Sequence, residues 1–138
     1  MIVVDASVAL KWVLPEEDSS AAHALLESEL AAPDFWIVEI ANALWRRTLQ
    51  RELSQKEAAR RLAWLRRAPV LLLPASDHVE DAFRIAADLK HPLYDCIYLA
   101  TAMREETQFV TADTRFARTV RIHSKFRPYI RLLREDGV

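Results

Sequence analysis

Four short apolar runs, at residues 2–4, 70–73, 109–111 and 129–133, are separated by stretches far too long for hairpin turns and patterned as helices. Short runs of this kind read as strands, the first two as buried ones and the last, interrupted by Arg131, as a plausible final strand, and strands joined through helices pair in parallel. The chain is therefore expected to be α/β, with a short, mainly parallel central sheet flanked by helices. An all-β alternative would need many turn glycines, whereas the 138 residues contain one, Gly137.

The connecting segments carry helix signals. Asp5-Ala6-Ser7 opens a helix that runs through Trp12. Pro15 followed by Glu16, Glu17 and Asp18 resembles a helix start, because proline is tolerated in the first turn and acids suit the dipole there. This second helix is expected to reach about Leu30. Pro33 and Asp34 break the chain before a third helix over 35–50, on which Val38, Ala41, Trp45 and Leu49 form an apolar stripe. Ser54 and Glu57 fit a capping box ahead of a basic helix to Arg67, and Asp77 to Glu80 repeat the pattern before a helix ending near Lys90. His91-Pro92-Leu93 interrupts, a further helix runs from Tyr94 or Asp95 to about Glu106, and a last one covers 114–119. The expected order is β-α-α-α-α-β-α-α-β-α-β in a single domain over 1–138, without repeats or linkers.

The lone Cys96 can form no internal disulfide, and His23, His78, His91 and His123 lack zinc-site spacing. Both suit a reducing cytoplasm. No apolar run approaches the roughly 18 residues of a membrane helix, and no basic leader precedes an apolar stretch. Net charge is −1, yet it is segregated: −7 over residues 1–45, +6 over 46–67, −5 over 68–114 and +5 over 115–138. The two basic blocks could hold a polyanion such as nucleic acid, although a solvated helix face explains the first block equally well.

Acidic residues stand at informative places. Asp5 and Asp113 each follow a strand, where open parallel sheets bind their ligands. Asp95 opens a helix, and Glu39 lies among Ile37, Val38, Ile40 and Ala41, apolar company in which an acid needs a partner. Carboxylates sharing one crevice would repel one another unless a cation neutralised them, and an all-oxygen set suits Mg²⁺ or Mn²⁺. Phosphodiester hydrolysis is the natural chemistry of such a site. With 20 acids in the chain, spacing alone leaves room for chance, and Asp5, Asp95 and Asp113 would also serve as ordinary helix or turn caps.

Four stretches in order settle on a resemblance: Ile2-Val3-Val4-Asp5-Ala6-Ser7-Val8, Glu39-Ile40-Ala41-Asn42-Ala43-Leu44, Tyr94-Asp95-Cys96-Ile97-Tyr98-Leu99-Ala100-Thr101-Ala102 and Phe109-Val110-Thr111-Ala112-Asp113-Thr114-Arg115-Phe116. Together they resemble the PIN-domain family and, within it, the VapC-type ribonuclease toxins of prokaryotic toxin–antitoxin pairs. The resemblance covers nearly the whole chain and implies a three-layer sandwich. It maps Asp5, Glu39, Asp95 and Asp113 onto the family's catalytic, metal-binding carboxylates. It further implies Mg²⁺- or Mn²⁺-dependent endonucleolytic cleavage of RNA leaving a 5′-phosphate and a 3′-hydroxyl, a homodimer, and a small antitoxin that blocks the groove. Many members carry one more acid shortly after the fourth carboxylate; here Thr114, Arg115 and Phe116 follow Asp113.

Around these four, Ser7 and Thr111 are candidates for orienting a ligand or holding water, and Asn42, one turn beyond Glu39, for hydrogen-bonding it. Arg46 and Arg115 are candidates for RNA binding, since a guanidinium grips phosphate bidentately. Cys96 reads as a buried small hydrophobe, and Trp12, Trp36, Trp45 and Trp64 mostly as packing residues. A noncatalytic PIN module that binds RNA or a protein is the alternative. A receiver domain or a haloacid-dehalogenase-type phosphatase would need paired acids after the first strand, where Asp5 is followed by Ala6 and Ser7.

Overall fold

Five strands make one sheet in the computed structural model, which describes residues 1–136. They are β1 (Ile2–Val4), β2 (Leu30–Pro33), β3 (Val70–Leu73), β4 (Phe109–Thr111) and β5 (Ile130–Leu132). Their order is β3-β2-β1-β4-β5 and every pairing is parallel, with Val3 opposite Ala31 on one side and Phe109 on the other. Seven α-helices accompany them: α1 (Ala6–Val13), α2 (Ser19–Ala24), α3 (Trp36–Leu49), α4 (Gln55–Arg66), α5 (Val79–Leu89), α6 (Leu93–Arg104) and α7 (Thr114–Arg121). The α/β sandwich expected from the sequence is the fold observed.

The chain steps from β1 outward to β3, then returns across the sheet to β4 and on to β5. Right-handed crossovers then put α1 to α4 on one face and α5 to α7 on the other. Accordingly α6 packs on β1 and β2 with α5 behind it, and α7 packs on β5. The reversal of direction falls between β1 and β4, so the crevice beyond their carboxyl ends is the switch point of the sheet. Val3, Val4, Phe109 and Val110 are fully buried beneath it, each side chain contributing roughly 1.5–3 kcal/mol by burial. Among the described residues no helix is long and apolar enough to cross a membrane.

Several expectations need correction. The second helix does not reach Leu30: α2 ends at Ala24, a 3₁₀ turn (Leu25–Glu27) follows, and residues 30–33 form β2, a strand buried between two neighbours. Its alanines favour helix intrinsically, but pairing on both edges overrides that preference. Nor do Glu16 and Glu17 lie in a helix. They fold around the buried Lys11, whose Nζ lies 2.7 Å from Glu17 O and 3.4 Å from Glu16 Oε2. Asp18 takes the N-cap position of α2 in a left-handed conformation, without a side-chain cap. The helix starts only at Ser19.

The capping box at Ser54 and Glu57 forms as expected, whereas α5 begins after a 3₁₀ turn (Ala75–His78) with no side-chain cap. The stripe on α3 faces solvent, with Val38, Trp45 and Leu49 at 65%, 56% and 62% exposure, while Trp36, Ile40 and Leu44 face the core. β3 is an edge strand with Leu71 and Leu72 exposed, not a buried one. Trp12 and Trp36 pack edge to face in the core, but Trp45 and Trp64 are exposed.

Helices α3 and α6 end in Schellman motifs without glycine. Arg51 and Glu106 take the left-handed position, with φ of 61° and 53°. The paired hydrogen bonds run from Glu52 N to Arg47 O and Arg51 N to Thr48 O, and from Thr107 N to Ala102 O and Glu106 N to Met103 O.

Candidate active site

β1 ends at Val4, and Asp5 turns the chain into α1 as its N-cap. Oδ1 of Asp5 accepts the Val8 N–H at 3.3 Å and the Ser7 hydroxyl at 2.5 Å. Oδ2 accepts the Thr111 hydroxyl at 2.6 Å. Each hydroxyl spends its only proton on Asp5 and accepts a backbone N–H from the loop after β4: Ser7 Oγ from Ala112 at 3.0 Å, Thr111 Oγ1 from Asp113 at 3.1 Å. The carboxyl ends of β1 and β4 are thereby laced together through Asp5. Ser7 and Thr111, candidates from the sequence for orienting a ligand or holding water, both donate to this carboxylate.

Asp5 is 8% exposed, and burial pushes its carboxyl from 3.8 up to about 6, against the hydrogen bonds from Ser7, Thr111 and Val8 and helped by the charge of Asp95. Asp95 sits in the first turn of α6, with Oδ2 at 2.7 Å from His91 Nε2. Glu39 lies in the first turn of α3 and accepts the hydroxyl of Tyr98 through Oε1. Burial raises its carboxyl, the Tyr98 bond lowers it, and Asp95 raises it again. The hydroxyl of Tyr98, deeply buried and facing Glu39, Asp5 and Asp95, is held far above its ordinary range and so remains a donor.

Asp5, Glu39 and Asp95 thus share one crevice. Asp113 does not join them in the same way. Its side chain is exposed and its Oδ1 caps α7 by accepting the Phe116 N–H at 3.1 Å. The charge that presses on Asp5 and Glu39 is that of Asp95, and Asp113 is tied to the group through its backbone N–H and Thr111. Asn42 is exposed on α3, and the partner of Glu39 is Tyr98 rather than Asn42.

Among the described residues no three His, Cys, Asp or Glu side chains stand close enough to grip an ion by themselves. The donor chemistry nevertheless fits a hard divalent cation. The donors are carboxylate oxygens, the charge that acts on both Asp5 and Glu39 is another carboxylate, Asp95, and Mg²⁺ keeps several waters while taking only one or two carboxylates directly. Cys96 is buried, and its thiol, pushed up to about 12 by burial and then by Asp95, is no nucleophile.

Of the basic side chains, Arg46 and Arg115 are exposed. Arg47 instead bonds Glu16 at 2.8 Å and Arg61 bonds the Val13 carbonyl at 3.0 Å, so part of the basic block serves the fold. Sequence reading did not single out Tyr98 or His91. Both had a local signal, since Tyr98 follows Asp95 by three residues on α6 and His91 precedes it by four.

A family model described as PIN domain matches residues 2–122, a span that runs from β1 through α7 and includes all four carboxylates. Ribonuclease VapC3 of Pyrobaculum aerophilum is 31% identical over 122 residues, covering 84% of this chain and 92% of that protein. The crystal structure of PAE2754 from Pyrobaculum aerophilum superposes with a TM-score of 0.67 at 22% identity, over 86% of this chain and 78% of the other, a likeness of fold. With a parallel sheet whose switch point carries the acids, and a match over most of its length, the chain belongs to the PIN-domain family.

Proposed function

We propose that this chain is a Mg²⁺- or Mn²⁺-dependent endoribonuclease and the toxin of a VapBC-type toxin–antitoxin pair, one PIN unit over residues 1–138. The observation that carries this reading is the crevice itself: at the sheet's switch point the charge of Asp95 presses on both Asp5 and Glu39, and burial raises both carboxyls. Asp5, Asp95 and Asp113 would hold the ion, and Glu39 would complete the site. A bound divalent ion supplies polarisation of the phosphodiester and a lowered pKa for water.

The chain's own groups do the rest. Ser7 and Thr111 fix both oxygens of Asp5. Glu39, with Oε1 engaged by Tyr98, offers its other oxygen to orient the attacking water. Asp113 offers Oδ2, since Oδ1 caps α7. Arg46 and Arg115, exposed on α3 and α7, hold the phosphates of the RNA. The relative named Ribonuclease VapC3 supports the ribonuclease reading; a small antitoxin that blocks the crevice, pairing of two copies and residence in the cytoplasm are proposed with it.

The test is direct. Purified protein cuts RNA with Mn²⁺ or Mg²⁺, stops on adding a chelator, and loses activity in Asp5→Asn. No cleavage with either ion, or full activity in that variant, overturns the reading. RNA binding that ignores the chelator, without cleavage, would replace it by a noncatalytic RNA-binding module. Recovery of a small protein encoded immediately upstream in complex with the chain tests the antitoxin.

A further inference from the structure

Tyr98 is the largest polar side chain buried beside the carboxylates, and so far it has entered only as the partner of one oxygen of Glu39. Its ring is fully buried and held on two sides. It stacks on Phe109 of β4 with centroids 5.3 Å apart and planes at 16°, and it meets the edge of Phe35, the N-cap of α3, at 5.2 Å and 71°. These contacts fix the hydroxyl in space without any help from Glu39. That hydroxyl donates to Glu39 Oε1 across 59 positions of sequence. Glu39 itself is long, only partly buried, and repelled by Asp95. Left alone, such a side chain turns toward water.

We propose that Tyr98 is a positioning residue: its clamped hydroxyl holds one oxygen of Glu39 so that the other faces the crevice in a single orientation. α6 then delivers two parts of the site from one helical turn, Asp95 directly and Glu39 through Tyr98. The proposal rests on the metal-dependent nuclease reading above. It concerns how Glu39 is aimed. Groups that orient metal-site carboxylates are typically worth 10–100-fold in affinity or activity.

Tyr98→Phe keeps the ring and removes the hydroxyl alone. Binding of Mn²⁺ to the RNA-free protein, followed by calorimetry, should weaken by about 10-fold. In RNA cleavage kcat should fall by about 10-fold with KM for RNA unchanged, because the hydroxyl faces Glu39 and not the substrate. In a Glu39→Gln background, Tyr98→Phe should cause little further loss of either quantity. Glu39→Asp, at a partly exposed helix position, withdraws the carboxylate from the hydroxyl and should reproduce both deficits if Tyr98→Phe folds poorly. Wild-type Mn²⁺ affinity and kcat in Tyr98→Phe, or in Glu39→Asp, overturn the proposal. So does an equal loss from Tyr98→Phe with and without Glu39, which would make the effect one of packing. If the unaltered chain neither binds Mn²⁺ nor cuts RNA, the nuclease reading fails and this proposal with it. If it does both and the variants match it, only the proposal falls.

Discussion

The hydroxyl of Thr111 donates to Oδ2 of Asp5 at 2.6 Å, joining residues 106 positions apart in the chain, while Oγ1 of Thr111 accepts the N–H of Asp113. One buried side chain therefore serves two of the acids. Thr111→Val, close in shape, strips a donor from a buried carboxylate and an acceptor from a backbone amide. Unfolding by urea should show a loss of about 1–3 kcal/mol, and RNA cleavage should fall by roughly 10-fold. Unchanged stability would mean that these hydrogen bonds contribute nothing net.

Asp5 titrates near 6 in the fold against 3.8 ordinarily. A carboxyl raised on folding favours the folded state at pH below its unfolded value, and that contribution is lost as pH rises through 6. The ion-free protein should therefore melt at a lower temperature at pH 8 than at pH 5, this group accounting for roughly 1.4 kcal/mol of the difference, about one pKa unit. Glu39, also raised, adds in the same direction. Mn²⁺ should raise the melting temperature more at pH 8 than at pH 5, and Asp5→Asn should flatten both effects. Equal Mn²⁺-induced shifts in the wild type and in Asp5→Asn would remove Asp5 from the ion site.

Arg115→Ala and Arg46→Ala should each weaken RNA binding and reduce the slope of log affinity against log salt by about 0.7, the value for one lost contact to a single strand. Arg47→Ala should lower stability instead, since Arg47 bonds Glu16 and Glu52. Fluorescence anisotropy with labelled RNA over roughly 50–200 mM salt separates the cases. An unchanged slope in Arg115→Ala would place the RNA elsewhere.

Glu106 closes α6 in a left-handed conformation at φ 53°. Glycine accepts that conformation without the clash a side chain creates. Glu106→Gly should raise stability by roughly 0.5–1 kcal/mol in urea unfolding and leave RNA cleavage unaltered. A loss of stability would show that the glutamate side chain makes contacts worth more than the relief.

What the sequence made legible was whatever depends on near neighbours in the chain. Apolar runs ending in Asp5 and Asp113 announce strands with acids at their carboxyl ends, and Ser54 with Glu57 announces a capped helix. β2 escaped because Leu30-Ala31-Ala32-Pro33 has no strand signature of its own, and only its two partners make it a strand. On α3 two apolar stripes compete, Val38-Trp45-Leu49 and Trp36-Ile40-Leu44, and periodicity does not say which one meets the core. Asn42 had the right spacing for Glu39 but not the reach that Tyr98 has from another helix. Asp113 was the acid without an acidic neighbour and a possible helix or turn cap as well, and the local sequence does not say that one of its oxygens is spent on α7.

β1 lies at the centre of the sheet, yet one of its two neighbours, β4, is more than a hundred residues away along the chain. On the ribosome, at about 5–20 residues per second, β1 leaves the exit tunnel seconds before the strand that must pair with it. During that interval Asp5 has neither the hydroxyl of Thr111 nor the loop that carries Asp113. Whatever chemistry the crevice performs is thus withheld from the nascent chain, and products of premature termination before β4 are born without it.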